Sequence, residues 1–188
     1  MPGAKPGQYR RSCGGYGQLL TLRMAAATLA PRTEDAVPPR YEESIDIAAP
    51  PERVWDVLRD VERWPEWTPS MKSAELLNGA MGPDGRARLN IAGAGGRPSD
   101  WTVTEWDEGR RFAWEAHIMP GFTSWADHRL EAKDGGTRVT LAVRMSGALA
   151  WPMWALFLGR VSRRNVGQEA AGLKRRSEEA VRSATTPS

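Results

Sequence analysis

The sequence has few of the residues that hold metal ions or form covalent cross-links. Its 188 residues include one cysteine, Cys13, and two histidines. A single cysteine excludes an intramolecular disulfide and a cysteine-rich zinc module. No uncharged run reaches the roughly 18 apolar residues that a membrane-spanning helix requires. These absences favour a globular domain that is stabilised by a hydrophobic core, which a chain of this length is able to bury.

Positive charge is concentrated at the N-terminus. Residues 1–32 contain five basic residues and no acidic one, whereas the whole chain has a net charge of +3. The remaining residues therefore have a small net negative charge, and a nucleic-acid-binding function loses its main support. A second group of arginines near the C-terminus is interpreted as the solvated face of a helix.

The N-terminal residues 1–40 are rich in glycine and proline and show no sustained periodicity, so we predict an unstructured tail. A signal peptide is a poor match because Arg23 interrupts the short apolar stretch, and we expect a cytoplasmic protein. Two alternatives stay open for this segment, a mitochondrial transit peptide and a true start at Met24. The domain itself is predicted at residues 41–182, followed by a disordered C-terminus at residues 183–188.

Hydrophobic periodicity predicts an α+β domain with the element order β-α-α-β6-α. A strand at residues 41–48 precedes a helix at 51–61, and Pro65 between two tryptophans indicates a second short helix or a turn. Six segments with a period of two residues follow, at residues 71–77, 85–91, 101–106, 112–118, 124–132 and 137–145. The helical period then returns from residue 151 to about residue 182. This order favours a curved antiparallel sheet wrapped around a long C-terminal helix, with an internal cavity between them.

The C-terminal helix is predicted to contain three glycines, Gly159, Gly167 and Gly172. Each lowers helix stability by about 1 kcal/mol relative to alanine. We therefore expect a close approach of another element, a bend, or room beside the helix for a ligand.

Several segments carry a family resemblance. They are IDIAAPPERVWDVL at residues 45–58, WPEW at 64–67, VTEWD at 103–107, RFAWE at 111–115 and GTRVTL at 136–141. Together they resemble the START-like (SRPBCC) superfamily, and most closely its polyketide cyclase/dehydrase and lipid-transport branch. The resemblance extends over residues 41–182 and implies a helix-grip fold with a deep hydrophobic cavity. It does not imply a particular reaction, because these segments encode strand edges, turns and helix anchors.

The two histidines are predicted on neighbouring strands with opposite orientations. Strand alternation places His117 outward and His128 inward, with Asp127 on the face opposite to His128. We therefore expect no metal site and no cofactor. His128 is the candidate acid/base or ligand-orienting residue, and the alternative is a structural histidine bonded to a neighbour. Glu105 and Asp127 are secondary polar candidates that we expect on the solvated face.

Nine tryptophans are the most unusual feature of the composition. Flat aromatic walls suit polycyclic or isoprenoid ligands, although the same side chains also serve to fill a core. We expect Trp64 and Trp67 at the cavity mouth and Trp101 and Trp114 in its wall. The predicted ligand-contacting set is Trp64, Trp67, Leu89, Trp101, Val103, Phe112, Trp114, His128, Leu130, Met145, Trp154 and Leu158.

Residues 151–158 are apolar and are followed by Arg160, Arg163 and Arg164. The preferred interpretation is a buried helix start. The alternative is an interfacial patch that makes peripheral contact with an anionic membrane.

These features favour a protein that binds a hydrophobic small molecule, such as a polyketide, quinone or lipid, in the cavity. An enzymatic form would be a metal-independent aromatase/cyclase in which His128 assists enolisation and dehydration. One alternative is a lipid or quinone carrier that docks on membranes through residues 151–164. Another, implied by the resemblance, is a co-chaperone-like interaction module whose own side chains fill the cavity. No oligomeric state is predicted.

Overall fold

The computed structural model describes residues 37–185 of the chain. The predicted unstructured tail lies outside the described residues as far as residue 36, and residues 186–188 lie outside them as well.

The chain enters the domain through a strand and three short helical pieces. Strand β1 (Arg40–Ile47) leads through two prolines into helix α1 (Pro51–Arg59). Pro51 suits the first helical position because its fixed φ matches the helix and its missing N–H is not needed there. A 3-10 turn (Val61–Arg63) and helix α2 (Trp64–Trp67) follow, and α2 is the predicted second, short helix.

Six further strands complete one antiparallel sheet, in agreement with the predicted fold class. They are β2 (Met71–Leu76), β3 (Arg86–Ile91), β4 (Ser99–Asp107), β5 (Arg111–Met119), β6 (Phe122–Lys133) and β7 (Gly136–Ser146). The sheet order is β1-β7-β6-β5-β4-β3-β2, so that the first strand pairs with the last and β1 and β2 form the edges. The seven strands curl into a half-barrel whose concave face holds the C-terminal helix, which is the helix-grip arrangement.

The C-terminal helix is interrupted near its start. Helix α3 (Ala150–Met153) passes into a π-helical turn (Trp154–Leu158) and then into the long helix α4 (Gly159–Thr185). A π-turn inserts one extra residue into the helix and shifts the phase of the side chains on either side of it. Helix α4 also continues a few residues beyond the predicted domain boundary at residue 182.

None of the three glycines of this helix lines the cavity, and their packing surroundings differ. A Cβ atom at Gly172 would overlap the carbonyl oxygen of Trp67 and lie 3.0 Å from its Cε3 atom. A Cβ at Gly159 would lie 3.0 Å from the Trp154 Nε1 atom, whereas Gly167 faces only the flexible carboxylate of Glu43. Close approach is therefore the reason for Gly172.

The core lies between the concave face of the sheet and the helices. Its most deeply buried large side chains are Trp64, Trp114, Phe112, Leu58 and Leu173. The prediction that Trp64 and Trp67 sit at the cavity mouth is wrong, because both rings are buried at the junction of α2 with the sheet. Complete burial of such large aromatic side chains gives the greatest hydrophobic stabilisation of the fold.

The outer face of the sheet contains one unexpectedly buried carboxylate. Asp127 does face away from His128, but it is only 3% exposed, which corrects the expectation of a solvated side chain. Arg111 Nε donates to its Oδ1 atom at 2.8 Å, and Arg129 Nε lies 3.1 Å from its Oδ2 atom. The hydrogen bond to Asp127 raises the pKa of Arg111 above its ordinary value. Glu105, in contrast, is exposed as predicted and pairs with the same arginine.

Candidate functional site

A cavity of about 570 Å³ lies between the concave face of the sheet and the C-terminal helix. Its apolar wall is provided mainly by the strands, with Leu89, Trp101, Trp114, Leu141 and Val143 among its members. The indoles of Trp101 and Trp114 contact one another with ring centroids 5.6 Å apart. The strand side of the cavity is therefore largely aromatic and aliphatic.

Seven of the twelve predicted ligand-contacting residues line this cavity: Trp64, Leu89, Trp101, Trp114, His128, Met145 and Leu158. The other five, Trp67, Val103, Phe112, Leu130 and Trp154, do not line it. Trp67 packs beneath Gly172, and Val103 and Leu130 belong to the main core. Phe112 lies behind the cavity wall, where its ring stacks on His128, and Trp154 packs in a small apolar cluster around Leu158.

The cavity contains a histidine–carboxylate pair. His128 on β6 and Glu169 on α4 approach with 3.0 Å between Nε2 and Oε1. The side chain of His128 is 4% exposed and that of Glu169 is 15% exposed. Both residues line the cavity, and the carboxylate is the more exposed member of the pair.

The imidazole of His128 is fixed by the aromatic rings around it. Phe112 stacks on it almost in parallel, with ring centroids 4.3 Å apart, and Trp64 and Trp114 contact it at 5.6 and 5.9 Å. Trp64 is itself held because its Nε1 atom donates to the Leu58 carbonyl at 2.9 Å. The Nδ1 atom of His128 has no hydrogen-bond partner among residues 37–185. The ring thus has a single polar partner, the carboxylate of Glu169, whose position it helps to define.

Glu169 is not among the residues predicted from the sequence, although a signal for it is present. Ser162, Asn165 and Glu169 recur at helical spacing among the apolar residues of α4 and all three line the cavity. The helical rise separates them by about 4.5 and 6 Å along the axis. Asn165 also donates to the carbonyl oxygen of Ala92 at 2.8 Å, which ties α4 to the loop between β3 and β4. A polar stripe within an apolar helix face is the pattern that indicates a lined cavity rather than a filled core.

The exposed residues among those that line the cavity lie in three segments, which form its mouth. They are the loop at residues 92–98, the end of β5 with Ile118 and Met119, and the π-turn with Phe157. The preferred interpretation of a buried helix start is wrong here. Leu156 is 78% exposed and Trp151 is 51% exposed. Apolar residues occupy every face of this segment, and a helix on the protein surface buries only one of its faces.

No group of three or more histidine, cysteine, aspartate or glutamate side chains within residues 37–185 is arranged to hold a metal ion. His117 is exposed, and its Nδ1 atom is 3.0 Å from the Thr123 hydroxyl. In the same part of the chain, no helix is both long enough and apolar enough to cross a membrane.

Comparison with solved structures supports the fold. The aromatase/cyclase Zhui from Streptomyces sp. R1128 superimposes with a TM-score of 0.65 and 22% identity, covering 79% of this chain and 99% of that protein. The di-domain aromatase/cyclase StfQ from the steffimycin biosynthetic pathway gives a TM-score of 0.63 and 12% identity, over 76% of this chain and 51% of StfQ. A START superfamily protein from Mycobacterium smegmatis gives 0.58 and 17% identity, over 75% and 98% of the two chains. No curated protein sequence matches the chain significantly.

Residues 38–178 match the sequence family described as polyketide cyclase/dehydrase and lipid transport. This match extends over nearly all of the folded part, and it agrees with the sheet, the terminal helix and the cavity between them. The chain therefore belongs to the polyketide cyclase/dehydrase and lipid transport family.

Proposed function

We propose that the protein binds an apolar small molecule with at least one oxygen atom, and that this oxygen lies at the Glu169–His128 pair. The observation that carries the proposal is a largely apolar cavity with one paired histidine and carboxylate in it. Protein sites for small molecules combine apolar walls with a few convergent polar groups in this manner.

The dimensions and walls of the cavity support a ligand with flat rings or a foldable chain. A volume of about 570 Å³ lies within the range of about 300–1,000 Å³ that small-molecule sites occupy. The adjoining indoles of Trp101 and Trp114 offer broad aromatic surfaces for offset or edge contacts. On the opposite side, the polar stripe of α4 offers hydrogen-bonding groups to oxygen atoms along one edge of the ligand.

The pair also supports an enzymatic form of the function, namely dehydration of a β-hydroxy ketone in an oligoketide chain. The Glu169 carboxylate would accept the α-proton, and the C–H electron pair would form the enolate. The resulting carboxylic acid would return this proton to the β-hydroxyl, which leaves as water while the enolate forms a carbon–carbon double bond. His128 acts as a positioning residue in this scheme because its Nε2–H holds the carboxylate. This assignment moves the acid/base role from His128, the sequence-based candidate, to its partner.

A carrier that binds lipid or quinone without chemistry uses the same cavity and is the second candidate. The exposed apolar residues at the mouth favour it. It differs from the enzyme in that its function would not depend on the charge of Glu169. The third alternative, a co-chaperone-like module, required an interior filled by its own side chains. The open cavity does not support it.

Native mass spectrometry of the full chain, followed by organic extraction, tests whether an apolar molecule co-purifies. Titration with the neutral fluorophore N-phenyl-1-naphthylamine provides a second test, because three tryptophans line the cavity and transfer excitation energy to a bound probe. A Val143→Trp variant fills the cavity and is expected to abolish probe binding. A protein that carries no adduct and does not bind the probe contradicts the proposal.

Glu169→Gln separates the enzyme from the carrier. Loss of the acid/base group is expected to reduce oligoketide turnover by about 10²-fold or more while probe binding persists. Glu131→Gln, an exposed carboxylate on the same strand as His128, is the matched control. Unchanged turnover in Glu169→Gln would refute the acid/base assignment, and the absence of any turnover in the wild type would favour the carrier.

A further inference from the structure

Large exposed hydrophobic side chains are concentrated in one region of the described chain. Among residues 37–185, six of the seven such side chains lie at the end of β5 or in the segment around α3 and the π-turn, the exception being Val37. We call these six the rim patch: Ile118, Met119, Leu149, Trp151, Leu156 and Phe157. Soluble proteins seldom expose a contiguous apolar patch without an interaction partner.

The rim patch is continuous with the cavity. Ile118, Met119 and Phe157 belong to the patch and also line the cavity mouth. Whatever covers the patch therefore lies against the opening through which a ligand passes.

The chain segments that form the rim patch and the cavity mouth are basic in sequence. The three segments around the mouth, residues 92–99, 116–126 and 145–168, include no aspartate or glutamate. They include four exposed arginines, which are Arg97, Arg160, Arg163 and Arg164. An apolar centre flanked by exposed arginines is complementary to an anionic bilayer, where apolar side chains enter the acyl region and arginines contact the phosphates.

We propose that the rim patch docks on the surface of an anionic phospholipid bilayer and that the cavity exchanges its apolar ligand directly with this bilayer. The inference rests on the proposed function, because it assigns the source of the ligand for the same cavity. A bilayer fits the site better than a folded protein, since a fluid surface allows a ligand to pass through the mouth that it covers. Tryptophan, as at position 151, is also a preferred residue at the membrane interface.

The test is co-flotation of the full chain with phosphatidylcholine vesicles and with vesicles that also contain phosphatidylglycerol. Binding is expected only to the anionic vesicles at low salt, and it should fall steeply as salt shortens the screening length. The double variant Trp151→Ser/Leu156→Ser is expected to lose roughly tenfold in affinity or more, because both side chains supply buried apolar area. Neither residue lines the cavity, so probe binding should be retained.

The charge contribution is tested by Arg160→Gln, for which we expect about a fivefold loss, the equivalent of about 1 kcal/mol per basic residue at an anionic surface. Arg110→Gln is the matched control. Arg110 is exposed in the turn between β4 and β5, at the opposite end of the sheet from the mouth. All variants keep the basic N-terminal residues, so a contribution from that segment is the same in each of them.

Three results would overturn the proposal while leaving cavity binding intact. The first is probe binding without any flotation. The second is equal flotation of the wild type and the Trp151→Ser/Leu156→Ser variant, which would assign vesicle binding to charge elsewhere in the chain. The third is a wild-type dimer in size-exclusion chromatography that the double variant lacks, with no flotation, which would show a second copy of the chain on the patch. If the wild type did not bind the probe at all, the proposed function would be refuted instead.

Discussion

Substitution of Gly172 by alanine has two effects of opposite sign on the free energy of unfolding, a gain in helix propensity and a loss from overpacking. Alanine stabilises a helix interior by about 1 kcal/mol relative to glycine. At this position, however, the new Cβ would overlap the carbonyl oxygen of Trp67 and lie 3.0 and 3.2 Å from its Cε3 and carbonyl carbon atoms. Backbone atoms and a buried ring have little freedom to move, so the cost of overpacking should lie in the upper part of its usual range, at about 2–3 kcal/mol. We therefore expect Gly172→Ala to destabilise the protein by about 1–2 kcal/mol in net terms.

Gly167→Ala is the matched comparison because it changes the same helix in the same way. Its Cβ would meet only the Glu43 carboxylate, at 3.4 Å, and that flexible group is able to move. The helix-propensity gain should then remain, and Gly167→Ala should stabilise the protein by about 0.5–1 kcal/mol. In thermal unfolding followed by circular dichroism, the two variants should differ in Tm by about 4–12 °C. Equal Tm values would refute the argument that close packing on Trp67 requires a glycine at position 172.

Two further predictions concern charged groups. Glu178 accepts hydrogen bonds from Lys174 Nζ at 2.6 Å and from the Ala48 N–H at 2.9 Å, and these contacts lower its pKa in the folded state. A lowered carboxyl pKa stabilises the fold above the unfolded-state value of about 4.3, and this contribution is lost as the pH falls through the folded-state pKa. Glu178→Gln should thus lower the free energy of unfolding by about 1–2 kcal/mol at pH 7, and urea titrations should show the difference shrinking below about pH 4. Asp127→Asn should lower the free energy of unfolding by about 2 kcal/mol in the same assay, because two arginines lose the carboxylate that they share. The loss is limited because both arginines still reach solvent. A change within error would show that this group of ion pairs does not stabilise the sheet.

The sheet was predictable because its sequence signals are local. In β3 the polar and apolar residues alternate, and the structure buries Ala87 and Leu89 while it exposes Arg86 and Arg88. Pro65 marked the break between two helical pieces for an equally local reason, the loss of a backbone donor. Signals of this kind act within a few residues and do not depend on how the elements meet.

The candidate site was only partly predictable, because it depends on how α4 lies against the sheet. Strand alternation correctly turned His128 inward, but its partner Glu169 is 41 residues away on another element. The rotation of α4 about its axis decides that this carboxylate faces the histidine, and periodicity does not determine that rotation. The π-turn was missed for a related reason. Residues 153–158 are apolar on every face, so the shift in helical phase leaves no visible trace in the pattern.

The pairing of β1 with β7 has a consequence for the order in which the fold is completed. β1 is synthesised first among the described strands, yet Ile47 pairs with Thr137 and Arg40 with Arg144, about a hundred residues later. Contacts of such long sequence separation close slowly, because the intervening loop must first lose its entropy. During that interval β1 is an unpaired strand with open backbone donors and acceptors. Its charged residues, among them Glu42, Glu43 and Asp46, disfavour pairing with the strands of other nascent chains until β7 has been synthesised and pairs with β1.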